Sequence, residues 1–64
     1  MRNKLREIRE NKGISQEELA QMSGISRTTI SELETEKKEV TTNITLEKIA
    51  EALNQKVSDI FFID

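Results

Sequence analysis

The chain has 64 residues, a formal net charge of −2 at pH 7, and neither Cys nor His. This length allows one small domain, and without Cys or His no disulfide can form and a zinc ion would find only carboxylate ligands. No apolar run approaches the roughly 20 residues of a membrane span, and the amino terminus lacks a signal-peptide stretch, so we expect a soluble cytoplasmic protein without a cofactor.

Charge is divided unevenly along the chain. Residues 1–12 contain five basic residues and two glutamates, a local charge of +3, whereas residues 13–64 sum to −5. A net negative charge is a poor prior for nucleic-acid binding. It does not prevent such binding when the acidic part of the surface faces away from the phosphates.

Composition and apolar spacing predict an all-α domain of five short helices. The chain has no Pro and only two Gly, and no stretch alternates polar and apolar residues with a period of two, so strands are not expected. The core must be largely aliphatic, because the only aromatic residues are two Phe. The first helix is predicted over about residues 3–12, with Leu5 and Ile8 facing inward and Gly13 as the stop.

Each of the next two helices begins at a serine. In the stretch SQEE, Ser15 can accept from the Glu18 amide while the Glu18 side chain reaches back, which is a capping box. This second helix runs to about residue 22. The third helix begins with Ser26 as its N-cap and carries two apolar residues three apart, Ile30 and Leu33.

The last two helices are predicted over about residues 45–53 and 57–61. The fourth follows the 3.6-residue helical period closely. Its inward positions are Leu46, Ile49, Ala50 and Leu53.

The chain ends near an apolar run, IFFI, that cannot face one core as a whole. We place Ile60 and Phe61 in the core, which leaves Phe62 and Ile63 exposed on a monomer. Our hypothesis is a two-fold homodimer with Val57, Phe62 and Ile63 in its interface. The alternative is that this end folds back on its own domain.

Two helices joined by a short turn that contains Gly24 are the signature of a helix-turn-helix, here at about residues 15–35. Ala20 lies where the helices would cross closely. The first residues of the third helix are polar, and in the DNA-binding form of the motif this end reads base edges in the major groove. The inner seam is formed by Leu19, Ile25, Ile30 and Leu33.

The stretch from Leu5 to Phe61 resembles the phage-repressor helix-turn-helix family of the Cro/cI or Xre type. The motifs that carry the resemblance are SQEELA, GIS, ISELE and LEKIAEAL. The resemblance implies a compact five-helix domain that binds operator DNA as a dimer. The chain departs from the family at Ser23, where members often have an apolar residue. It departs again at residues 34–37, which read Glu-Thr-Glu-Lys where many members have Glu-Arg-Gly-Lys.

Four residues on the outer face of the third helix are candidates for contact with bases. Arg27 is the strongest, because a bidentate Arg to guanine is the commonest specific contact. The alternative is an Arg that is solvated or bonded only to phosphate. Thr28 can offer a methyl group to thymine, Ser31 is central but short, and Glu32 can accept from cytosine or remain a solvated surface acid.

Candidates for phosphate contact surround this face. The resemblance implies that Gln16, at the positive end of the second helix, contacts a phosphate. It also implies that Arg9 pairs with Glu34 to hold the first helix to the third, so that this Arg is structural rather than a DNA contact. The remaining candidates for phosphate contact are Ser26, Thr29, Lys37, Lys38, Thr42 and Asn43.

The sequence is compatible with two functions. The first is a sequence-specific transcriptional regulator, a homodimeric repressor that reads a near-palindromic operator with its third helix in the major groove. The second is a protein-interaction module or antitoxin-type partner that uses the same fold, which the acidic residues near the third helix favour. We do not expect an enzyme, because the chain lacks Cys, His and a phosphate-binding Gly-rich loop.

Overall fold

The computed structural model describes residues 2–37 and 42–62. Within them the chain forms five helices, so the predicted five-helix, all-α fold is confirmed. Bounds differ from the prediction by one to two residues at several ends. The elements are β1 (Arg2–Asn3), α1 (Leu5–Asn11), α2 (Gln16–Ser23), α3 (Arg27–Glu34), α4 (Asn43–Ala52), α5 (Val57–Ile60) and β2 (Phe61–Phe62).

The predicted caps of α2 and α3 are confirmed. Ser15 Oγ accepts from the Glu18 amide and the Glu18 carboxylate accepts from the Ser15 amide, each at 3.0 Å. Ser26 Oγ accepts from the Thr29 amide at the start of α3. Gly24 ends α2 with φ of 73°, a left-handed conformation that is inexpensive only for Gly. These local bonds fix where the two helices begin and end.

The helices bury one apolar face each in a single core. Ile8, Ala20, Ile25 and Val57 pack against it while remaining partly exposed. The predicted seam between α2 and α3 is confirmed, and Phe61 is the one described aromatic side chain within an otherwise aliphatic core. Its buried members are Leu5, Leu19, Ile30, Leu33, Leu46, Ile49, Ala50, Leu53, Ile60 and Phe61.

The prediction that the chain has no strands is wrong. β1 and β2 pair antiparallel, with Arg2 opposite Phe62 and Asn3 opposite Phe61. A two-residue pairing is too short to leave a period-two pattern in the sequence. It forms because the packed helices bring the two ends of the domain together.

The expectation that Phe62 is exposed on a monomer is also wrong. β2 folds back along β1, which leaves the Phe62 side chain half-buried. The ammonium nitrogen of Lys4 lies 5.9 Å from the centre of its ring, within the range of a cation–π contact. Ile63 lies outside the described residues.

Ser23 is buried, and its hydroxyl explains how a polar residue fits at a position where members of the resembled family often have an apolar one. Its Oγ donates to the Leu19 carbonyl at 2.7 Å and accepts from the Ile25 amide at 3.2 Å. Both bonds stay within the α2–α3 turn region. The hydroxyl is therefore satisfied by the backbone and carries no sign of a ligand site.

Candidate nucleic-acid interface

The candidate interface is built from the first turns of α2 and α3. The Gly24 turn brings these helices together, and the first turn of α3 presents polar side chains outward. Arg27 and Thr28 are exposed, whereas Ser31 and Glu32 are partly buried. The structure brings all four candidates for base contact together with Gln16 around one shallow depression. We refer to these five residues as the α3 face.

Arg27 lies beside Glu17, an acidic residue that we did not predict to be part of the interface. Its Nη1 lies 3.8 Å from Oε1 of Glu17 in the first turn of α2. Both side chains are mostly exposed, so water screens this ion pair and it adds little stability. The guanidinium can therefore exchange Glu17 for another acceptor.

Ser26 and Thr29 bond to each other in the first turn of α3. Ser26 Oγ donates to Thr29 Oγ1 at 2.9 Å while it accepts from the Thr29 amide at 3.2 Å. Their first role is therefore to cap α3. A phosphate oxygen that approaches these predicted phosphate contacts would still find the outward donors of the helix amino terminus.

Gln16 is bonded within the protein. Its Nε2 donates to Glu34 Oε1 at 3.0 Å and links the start of α2 to the end of α3. This bond could not be predicted from the sequence, because the two residues are 18 positions apart and both residue types are common at exposed sites. Gln16 is half-buried as a result.

Arg9 binds Glu34, as the family resemblance implied. Arg9 Nε donates to Glu34 Oε2 at 2.6 Å and Nη2 donates to Oε1 at 3.1 Å, a bidentate pair. Nη1 also donates to the Ile14 carbonyl in the loop before α2. The bond to Glu34 raises the pKa of Arg9 above its ordinary value, although burial opposes this. One guanidinium thus joins α1, the α1–α2 loop and α3.

The end of α3 closes with a left-handed residue at Glu36. The Glu36 amide donates to the Leu33 carbonyl and the Lys37 amide donates to the Glu32 carbonyl, which together form a Schellman motif. Glu36 has φ of 59° at the position where many family members have Gly. Lys37 is exposed directly after this turn, and Lys38 lies outside the described residues.

Thr42 and Asn43 lie at the start of α4, and both are exposed. Thr42 is the N-cap, and its Oγ1 accepts from the Thr45 amide at 3.2 Å. The helix therefore begins two residues earlier than predicted from apolar spacing. As with Ser26, a local capping role accounts for the Thr42 hydroxyl without DNA.

Asn3 makes two side-chain hydrogen bonds that we did not predict from the sequence. Its Nδ2 donates to the Leu33 carbonyl at 2.8 Å and its Oδ1 accepts from the Leu5 amide at 3.0 Å. It therefore pairs the first backbone amide of α1 and also holds the last turn of α3. Asn just before an apolar helical run is a possible capping signal, but the bond to Leu33 has no local signature.

The described part of the chain shows neither a metal site nor a membrane-spanning helix. Within residues 2–37 and 42–62, no three His, Cys, Asp or Glu side chains are grouped so as to hold a metal ion. Among the described helices, none has the length and apolar character needed to cross a membrane.

Comparison with known proteins agrees with this architecture. A family model described as helix-turn-helix matches residues 5–60. An uncharacterized helix-turn-helix-type transcriptional regulator from Archaeoglobus fulgidus is 39% identical over 64 residues, which are 100% of this chain and 90% of that protein. The chain belongs to the helix-turn-helix family of the Cro/cI or Xre type.

Proposed function

We propose that this protein is a sequence-specific, double-stranded DNA-binding transcriptional regulator. The observation that carries the proposal is the α3 face, where exposed Arg27 and Thr28 lie beside Gln16 at the start of α2. Folding does not require polar side chains at the first two positions of α3, since capping is done by Ser26. A helix that presents such side chains at its amino-terminal end suits base readout in the major groove.

In this proposal the side chains divide into two classes. Arg27, Thr28, Ser31 and Glu32 face base edges, with Arg27 as the main determinant of sequence preference. The remaining candidates set register and affinity on the backbone and carry no sequence information directly. These are Gln16, Ser26, Thr29, Lys37, Lys38, Thr42 and Asn43.

We further propose that the protein acts as a homodimeric repressor. Two copies of α3 about 34 Å apart would read the half-sites of a near-palindromic operator one helical turn apart. Val57 and Phe62 are both partly exposed near the carboxyl-terminal end of the described chain, and with Ile63 they form the proposed interface. Monomeric sedimentation at micromolar concentration, with and without operator, would contradict the homodimer.

The proposal includes a cytoplasmic location and no catalytic activity. Regulation would follow from protein concentration, dimerisation or another protein. A phage, plasmid or restriction-system controller, or an antitoxin that represses its own operon, fits a domain of this kind.

Selection of bound duplexes from a random-sequence DNA pool tests the proposal, with the affinity of the enriched duplexes measured at two salt concentrations. We expect a symmetric motif that binds far more tightly than random DNA at both concentrations. Non-specific binding rests on phosphate contacts and falls steeply with salt. No enrichment, with weak binding that disappears at moderate salt, would overturn the proposal.

A protein-interaction module is the second candidate, and the Glu17–Arg27 ion pair favours it. An acid beside the main base-reading side chain weakens attraction to phosphates, as expected if the α3 face does not bind DNA. Charge reversal, Arg27→Glu, separates the two functions. A regulator loses operator binding, whereas an adaptor in which the α3 face is unused keeps its partner.

A further inference from the structure

Glu34 accepts hydrogen bonds from two side chains that belong to different helices. Its Oε1 accepts from Arg9 Nη2 at 3.1 Å and from Gln16 Nε2 at 3.0 Å, while Oε2 accepts from Arg9 Nε at 2.6 Å. The Glu34 side chain is only 3% exposed. A carboxylate held this way has a fixed position, since moving it would break a buried bidentate pair.

The charge of Glu34 decides which end of the Gln16 amide faces it. An ionised carboxylate only accepts hydrogen bonds, so Gln16 must turn its nitrogen, not its oxygen, toward Glu34. An amide nitrogen carries two hydrogens, and the bond to Glu34 uses one of them. The second remains as a donor at the amino-terminal end of α2, where the helix amides also point.

We infer that Glu34, held by Arg9, is a positioning residue that presents the Gln16 amide nitrogen to a DNA phosphate. Phosphate oxygens, like the carboxylate, only accept, so one nitrogen can bridge the two acceptors. The positive charge of Arg9 balances Glu34, which keeps the carboxylate from repelling the phosphate. This inference rests on the proposed function, because it assigns the phosphate contact to an operator complex.

The arrangement stabilises the bound geometry before DNA arrives. A Gln side chain that is ordered in the free protein loses less conformational entropy on binding than a mobile one. Removal of the carboxylate would therefore weaken DNA binding even when the fold is intact. A merely structural role for the pair predicts no such loss.

The first test uses the free protein and no DNA. Nitrogen-15 relaxation of side-chain amides should show Gln16 ordered like the backbone, with exposed Gln21 on the same helix as a mobile control. A Gln16 amide that is as mobile as that of Gln21 would overturn the inference. This outcome does not depend on whether the protein binds an operator.

The second test removes the carboxylate without leaving a buried charge. The double substitution Arg9→Met with Glu34→Leu replaces the pair by apolar side chains, an exchange that is often neutral or stabilising. We expect affinity for the selected duplex to fall about tenfold in the double variant and by a similar factor in Gln16→Ala. Adding Gln16→Ala to the double variant should then cause no further loss. Gln21→Ala should leave affinity within about twofold.

Two binding results would overturn the inference. One is a folded double variant that binds as tightly as the unsubstituted protein, and the other is Gln16→Ala having its full effect in that background. If the double variant does not fold, the relaxation of Gln16 in the unsubstituted protein decides. If the unsubstituted protein selects no duplex, the proposed function and the phosphate contact both fail, while an ordered Gln16 would still support its positioning by Glu34.

Discussion

The two ends of α3 each lie beside an Arg–carboxylate pair, but in opposite environments. At the amino-terminal end, Arg27 and Glu17 lie 3.8 Å apart, with side chains 63% and 74% exposed. At the carboxyl-terminal end, Arg9 and Glu34 lie 2.6 Å apart, with side chains 10% and 3% exposed. The same type of ion pair is thus exposed to solvent at one end of α3 and buried in the protein at the other.

Because the two pairs differ in exposure, we assign a different role to each end of α3. An exposed pair is worth at most about 1 kcal/mol and exchanges partners readily. Breaking a buried pair leaves a charge without a partner in a region of low dielectric constant. The carboxyl-terminal end therefore anchors α3 in the fold, whereas the ion pair at the amino-terminal end can open at little energetic cost.

The largest expected effect is on stability at the buried end. Glu34→Ala should lower the free energy of unfolding by about 3–5 kcal/mol, because Arg9 would remain buried without its partner. Urea unfolding at neutral pH measures this value. Glu17→Ala is the matched control at the exposed end, where we expect a change within about 0.5 kcal/mol. Equal effects of the two substitutions would contradict the assigned roles.

The next effect is on DNA binding at the exposed end. Arg27→Ala should cost about 1–3 kcal/mol of binding free energy on the selected duplex while unfolding stays nearly unchanged. Arg6→Ala is a control with the same charge change, because Arg6 is also exposed and pairs with one glutamate, Glu10, at 3.4 Å. Fluorescence anisotropy titration measures both. If the two substitutions weaken binding equally, net charge and not the α3 face determines affinity.

A smaller effect is expected in the turn that follows the anchored end. Glu36 holds a left-handed conformation that costs a residue with a Cβ about 1–2 kcal/mol. Glu36→Gly should raise the free energy of unfolding by about 1 kcal/mol or less, since Gly also gains entropy in the unfolded chain. Glu36→Gln keeps the Cβ and removes the charge. A gain for Gln as large as for Gly would show that charge, not backbone strain, is the cause.

The smallest effect concerns the cap of α2. The backbone hydrogen bond from Ser15 lowers the pKa of Glu18 in the folded protein, and the bond to the Ser15 side chain adds to this. The ionised carboxylate therefore stabilises the fold above its unfolded pKa, about 4.3, and this contribution is lost as pH falls through the lower folded pKa. Below about pH 4, the melting temperature of the unsubstituted protein should decrease more steeply, as the pH is lowered, than the melting temperature of Glu18→Gln. Parallel slopes would contradict this.

Features that depend on neighbouring residues could be predicted from the sequence. The Ser15 capping box, the Ser26 cap and the left-handed Gly24 each follow from residues within a few positions of each other, and the α2–α3 seam follows from the apolar spacing along two consecutive helices. Their physical causes are local, namely backbone amides at helix ends and the helical period of apolar side chains. The helix-turn-helix could therefore be located with nearly correct bounds.

Features that join distant parts of the chain could not be predicted in the same way. The bond from Gln16 to Glu34 and the bond from Asn3 to the Leu33 carbonyl exist only once the helices are packed. The β1–β2 pairing likewise follows from where the packed helices place the chain ends. Arg9 with Glu34 is the exception, and only the family resemblance made it predictable.

Selection from a random-sequence DNA pool, carried out in parallel with the unsubstituted protein and with Arg27→Ala, tests the central claim most directly. We predict that the unsubstituted protein enriches a symmetric motif. Arg27→Ala should lose the preference at one position of each half-site and keep it at the others. The same motif from both proteins, or no motif from either, would contradict the claim that the α3 face reads DNA.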